Sequence, residues 1–150
     1  MSSARRMLCN VYLVIAVSAL VATWRQNLAF MSETGVSLPE GFVQFWPALF
    51  ANRATISITV DIFLLTLAAV VWMVLEARRL SMRNVWLYVL FGITIAISVT
   101  FPLFLYAREH ALAARKDATD TEPAPSASDR LGLGFMLLST LAFAAWCTLR

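Results

Sequence analysis

One histidine, two cysteines and nine acidic residues are nearly all that this 150-residue chain offers for conventional site chemistry. His110, Cys9 and Cys147 are too few and too scattered for a Cys/His metal site. No Ser-His-Asp or Cys-His grouping and no Gly-rich phosphate loop occurs either. The expectation is therefore no metal and no cofactor. Charged residues make up only 14% of the chain, and its Arg residues form no stripe interleaved with exposed aromatics, which excludes nucleic-acid binding. Cys9 and Cys147 stand near the start of the first apolar run and the end of the last, on one side of a four-span arrangement. A disulfide and a pair of small packing residues both fit them. Neither cysteine is assigned a function.

What the chain has in excess is hydrocarbon. Hydrophobic residues make up 60% of it, outside the usual range of soluble domains. Four runs, Met7 to Trp24, Ile56 to Leu75, Val85 to Tyr106 and Leu131 to Leu149, hold 18, 20, 22 and 19 residues. A bilayer core about 30 Å thick needs roughly 20. The expected fold class is all-α, an integral membrane bundle of four transmembrane helices. Arg5 and Arg6 before an apolar stretch also resemble a secretory signal, with Val17-Ser18-Ala19 as a cleavage site; an uncleaved first span is the simpler reading.

Residues 1 to 112 read as a three-span unit, 113 to 130 as a flexible acidic, proline-containing linker, and 131 to 150 as a fourth span. Within the first connection Phe42, Phe45, Trp46, Leu49 and Phe50 recur on one face, predicting an interfacial or re-entrant helix at about 42 to 52, with Pro47 near its first turn or kinking it. A loop helix packed on the bundle satisfies the same periodicity. With four straight spans, six cationic residues fall on each side. The local density of Arg5, Arg6, Arg78, Arg79 and Arg83 favours cytoplasmic termini.

Asp61 lies about five residues inside the second run. A carboxylate there is expected to face the bundle, be protonated or find a donor. Were the second and third spans straight antiparallel rods, Asp61 would be level with about Val99. Pro102 frees the carbonyl of Ser98, and the Ser98 and Thr100 hydroxyls lie at that depth. An interhelical clamp and an acid in a ligand pocket both follow from such a placement. On the same ruler Tyr106, Arg108, Glu109 and Trp46 emerge on the Asp61 side, where an interfacial belt is the plain alternative. Glu76, about 22 Å from Asp61 along the helix, belongs to the opposite surface with Arg78, Arg79 and Arg83. It is expected to pair with Arg79 or Arg83 and to hold the connection near lipid phosphates. Gly92, Ala96 and Thr100, at i, i+4 and i+8, predict a small-residue groove for a neighbouring helix.

Ala51-Asn52-Arg53, Asp61, Glu76-Ala77-Arg78-Arg79-Leu80-Ser81-Met82, Trp86 and Phe101-Pro102-Leu103-Phe104-Leu105-Tyr106-Ala107-Arg108-Glu109 closely resemble a bacterial family of small membrane proteins known only as a domain of unknown function. The resemblance covers about residues 8 to 112. Members often carry Gly where Ala77 and Ser81 stand here, and usually end soon after the Arg108-Glu109 position, so the fourth span is an addition. The resemblance implies an inner-membrane, multi-pass protein. More distantly, Asp61 and the Pro-Leu pattern at Pro102 look like membrane proteins of neoxanthin formation and integral-membrane terpene cyclases.

The functional expectation is a membrane protein that binds membrane lipid or an isoprenoid-like ligand, with Asp61, Ser98, Thr100 and Trp46 as contacts. One alternative, implied by the distant likeness, is an isoprenoid or carotenoid isomerase or cyclase with Asp61 as general acid and Tyr106, Arg108 or Glu109 assisting. Another is a structural subunit of a homo- or hetero-oligomeric complex, with Glu76, Arg78, Arg79, Pro102, Gly92 and Ala96 as structural positions.

Overall fold

The computed structural model describes residues 3 to 114 together with Leu131, Gly134, Phe135, Leu138 and Ala142. The predicted linker and nearly all of the predicted fourth span lie outside the described residues. Every described element is helical, as expected for the all-α class: α1 (Ser3–Thr34), α2 (Leu38–Ala48), α3 (Arg53–Arg79), α4 (Val85–Phe91), a π-helical turn (Gly92–Ala96) and α5 (Ile97–Ala114). Three stretches, Ser3–Thr34, Arg53–Arg79 and Val85–Ala114, are long and apolar enough to cross a membrane.

Local chemistry fixes the helix ends. Asn52 Oδ1 accepts from the Ala54 and Thr55 amides while Thr55 Oγ1 accepts from the Asn52 amide, a reciprocal cap that starts α3. At the other end Met82 N–H donates to the Ala77 carbonyl and Ser81 N–H to that of Arg78, the paired bonds of a Schellman motif. Ser81 takes the left-handed position of that motif, φ 55°, where glycine fits without strain. Fully buried Ala77 leaves no room for a larger side chain.

Helix α2 begins at Leu38, four residues before the predicted start, because Ser37 caps it. Its amide and hydroxyl both donate to Glu40 Oε2, which holds the Glu40 carboxyl below its ordinary range. Pro39 therefore occupies the first turn, and Pro47 falls in the last. Phe45 meets Phe30 of α1 edge-on, and Trp46 meets Phe63 of α3.

The third predicted span is not a rod. Tyr88 and Phe104 are sixteen residues apart, about 24 Å along a straight helix, yet their ring centroids are 5.6 Å apart. The chain turns back between them, so α4 packs on α5. Three features bend it: the widened π turn, the Thr94 hydroxyl donating back to the Leu90 carbonyl at 2.9 Å, and Pro102, which has no N–H for the Ser98 carbonyl. Gly92 makes the fold-back possible, because a Cβ there would lie 2.9 Å from Thr100 Oγ1. At Gly92 the predicted groove holds the chain's own continuation, Thr100 and Ile97, while α1 packs along the π turn and α5.

Met73, Ala77, Val85 and Phe104 form the core, with Tyr88 and Phe101 packed against it. Helix α1 supplies the remaining wall along α5 through Cys9 and Ala16, both buried. Their small side chains let the two backbones approach. Cys9 is a free thiol, and Cys147 lies outside the described residues.

Candidate functional site

The fold-back delivers three helix ends to one place. Glu76 comes from the last turn of α3, Arg108 and Glu109 from the later half of α5, and Arg5 from the first turns of α1. Arg108 Nε donates to Glu76 Oε1 at 2.7 Å, and its NH1 donates to Glu109 Oε1 at 2.8 Å. The guanidinium carbon lies 5.8 Å from the Trp72 ring centroid. Arg79 forks onto Glu76, Nε to Oε2 at 2.7 Å and NH2 to Oε1 at 2.6 Å. Arg5 Nε approaches Glu109 Oε2 at 3.4 Å. Glu109 is 1% exposed, so its charge has no access to water and depends on these two arginines.

Three cations against two anions give the cluster a net charge of +1. Arg108 is its hub, since it touches both carboxylates and an aromatic face. Breaking a buried pair by removing one partner costs about 3 to 5 kcal/mol, so the cluster fixes the relative placement of α1, α3 and α5. The expected Glu76–Arg79 pair is present. The alternative partner, Arg83, makes no ion pair with Glu76.

Asp61 corrects a central expectation. It lies on an exposed face of α3, with no hydrogen bond or ion pair among the described residues, and not between helices. Its expected partners lie elsewhere. Ser98 is exposed, and the Thr100 hydroxyl points to the Ala96 carbonyl at 3.4 Å on the Gly92 side of the bend. Pro102 is buried in α5. The level assigned to Asp61 assumed a straight third span, and the bend removes that level.

The same bend moves the candidate second acid. Because Arg108 bonds to Glu76, Arg108 and Glu109 lie at the Glu76 end of α3, about 22 Å from Asp61 along the helix. Asp61 and Glu109 cannot act on one substrate atom. Tyr106 stacks on His110 with centroids 4.6 Å apart, at that same distant end. Of the proposed contacts only Trp46 lies toward Asp61, through Phe63. Asp61 lines neither the surface cavity along Arg78, Arg83 and Trp86 nor that along Pro39, Glu40, Val43 and Gln44. Among the described residues no group of three His, Cys, Asp or Glu could hold a metal ion.

A family model described as a protein of unknown function, DUF2834, matches residues 11–110. That is 100 of the chain's 150 residues. The chain belongs to the DUF2834 family. The DUF2834 segment contains Glu76, Arg79, Arg108 and Glu109, while Arg5 precedes it and the Leu131 to Leu149 run follows it. No curated protein and no solved structure matches the chain. DUF2834 membership thus carries no activity with it, and the likeness to terpene cyclases rests on the motif alone.

Sequence reasoning placed Glu76 and Arg108 on opposite surfaces and so missed the cluster. A signal was available. Gly92 and the β-branched Ile93, Thr94 and Ile95 stand in the Val85 to Tyr106 run, near its middle.

Proposed function

We propose that this protein is a non-catalytic subunit of a membrane complex, and that the exposed face of α3 docks a transmembrane helix of another protein. Asp61 carries the reading. An ionised carboxylate facing acyl chains costs at least about 2.5 kcal/mol on insertion scales, which a donor on a partner helix removes. Around it Ser57, Asp61, Leu64, Ala68, Val71 and Leu75 follow one another at alternating spacings of four and three, and all are exposed. Such a seam suits a facing helix, and one polar residue within it sets register and partner choice. A second copy of this chain would set Asp61 against Asp61, two like charges in hydrocarbon, which favours a different partner. Asp61 lines neither of those cavities and lies about 22 Å from Glu109 along the helix, which favours a docking role over the isoprenoid-pocket and cyclase readings.

The bend also supports an orientation. If Arg5, Glu76 and Glu109 mark one membrane surface, α4 enters from that surface and α5 returns to it, so the hairpin is re-entrant, with its apex about 17 Å deep. Arg5, Arg6, Arg78, Arg79, Arg83 and Arg108 then share that side, against Arg25 and Arg53 on the other. Counted over the described residues, that asymmetry supports a cytoplasmic assignment for this side by the positive-inside rule. Helix α2, with its aromatics half exposed, lies at the opposite interface.

The test is photo-cross-linking in membranes from Leu64, on the seam, and from Ile62, off it. An adduct to one other membrane protein from Leu64 only, abolished by Asp61→Leu and kept by Asp61→Asn, is the expected result. A homodimer adduct, an adduct to residues 131 to 149 of the same chain, or lipid adducts alone would overturn the reading.

A further inference from the structure

Two arginines beside the ion cluster have no counter-charge among the described residues. Arg5, Arg79 and Arg108 are committed to Glu76 and Glu109, whereas Arg78 and Arg83 have no carboxylate or hydrogen-bond partner among the described residues. Both line an open cavity of about 790 Å³ at the turn between α3 and α4, with Ser81, Asn84, Trp86 and Leu90. We propose that this cavity is a binding site for an anionic glycerophospholipid, with Arg78 and Arg83 on its phosphate.

Position and chemistry agree. The cavity adjoins Glu76 and Arg79, at the end of an apolar helix long enough to span, which is where lipid headgroups lie. Trp86 is 59% exposed in the first turn of α4, and indoles favour that depth. Guanidinium forks match phosphate oxygens with paired donors, and the Ser81 hydroxyl and Asn84 amide add neutral donors along the same wall. Below them Leu87 and Leu90, both exposed, continue along α4 as an apolar track for an acyl chain. Headgroup charge decides which lipid is bound. Among the described residues this end holds six arginines and two glutamates, a net +4, so a choline or ethanolamine cation is repelled where a net anionic headgroup is not.

Arg83 belongs to the turn itself and Arg78 to the last turn of α3. Ser81 and Asn84 both adopt left-handed backbone, which lets Arg83 stand out between them and away from Glu76. The cavity is therefore a built consequence of the α3–α4 turn, separate from the cluster that locks the helices.

Native mass spectrometry of the full chain in detergent tests the site, with phosphatidylglycerol, phosphatidylcholine or inorganic phosphate added separately. The expected result is one retained phosphatidylglycerol, bound at least tenfold more tightly than phosphatidylcholine. Arg78→Gln/Arg83→Gln should lose that preference, and Arg6→Gln/Arg25→Gln, which removes the same charge, should keep it. The single change Arg83→Gln leaves α3 intact and should weaken retention severalfold even if the double variant folds poorly. Equal retention of both lipids, an unchanged Arg83→Gln, or inorganic phosphate binding as tightly as the lipid would each overturn the proposal.

Discussion

Arg108 Nε and Glu76 Oε1 lie 2.7 Å apart across 32 residues of chain. A straight helix from Val85 would carry Arg108 about 34 Å away from the α3–α4 turn, so this one bond requires the reversal at Gly92–Ala96. Everything distinctive about the molecule follows from it. The cluster, the shift in charge balance between the two surfaces and the exposure of Asp61 all depend on α5 returning to the end of α3.

The Glu76–Arg108 coupling should exceed the Glu76–Arg79 coupling. Arg108 is mostly buried and Arg79 is half exposed, so solvent screens only the second pair. Double-mutant cycles of thermal unfolding in detergent, built on Glu76→Gln with Arg108→Gln or Arg79→Gln, should give about 2 kcal/mol for the first and under about 1 kcal/mol for the second. Equal couplings would remove Arg108 from the centre of the cluster.

Residues 88 and 104 should cross-link. With Cys9 and Cys147 replaced by serine, the pair Tyr88→Cys and Phe104→Cys should be bridged by a short bifunctional reagent within one chain. A rod would hold those positions about 24 Å apart, beyond any such reagent. Absence of the intramolecular product in folded protein would restore the straight span.

Gly92 should tolerate no side chain. A Cβ there meets Thr100 Oγ1 at 2.9 Å and Ile97 Cδ1 at 3.1 Å, so Gly92→Val must open the bend and should cost about 2 kcal/mol. Thr100→Ala should recover part of that loss in the Gly92→Ala background by removing the facing hydroxyl. Unfolding midpoints of the single and double variants decide the matter.

Ser81→Gly should stabilise the protein by about 1 kcal/mol, since Ser81 holds φ 55° where a side chain is disfavoured. The same change at Ser57, in the body of α3, should be destabilising by a comparable amount. A fall in melting temperature for Ser81→Gly would contradict the left-handed cap.

The start of α2 should fray in acid. Hydrogen bonds from Ser37 lower the Glu40 pKa, so their contribution is fully present above the unfolded value near 4.5 and is lost as pH falls through the lowered folded value. Amide exchange at Gly41, followed against pH, should accelerate across that range in the native chain and show no such step in Glu40→Gln.

Much of the fold was legible in the residues alone. Run lengths predicted the three described helical stretches long enough to span, though α3 extends past the expected Ile56 to Leu75 at both ends, and the family followed from the Glu76 to Met82 and Phe101 to Glu109 segments. A helix in the first connection was foreseen from aromatic periodicity, but over 42 to 52 rather than Leu38–Ala48: Ser37 and Glu40 were not read as a cap, and Leu49 and Phe50 of the expected face lie beyond its end. These features are local: hydrophobicity, periodicity and capping act within a turn or two, where sequence distance and spatial distance agree.

The location of the candidate site was not legible, because it depends on how far a helix continues before it bends. A π turn, a Thr94 back-bond and one glycine distinguish a hairpin from a rod, and each is a weak signal until packing sums them. Sequence by itself determined that this protein is a set of apolar helices with one acid inside a span and arginines at the ends. Tertiary structure decided that Glu109 is hidden and Asp61 exposed, since burial in a bundle is set by which helix ends converge, and convergence is a long-range property of the whole chain.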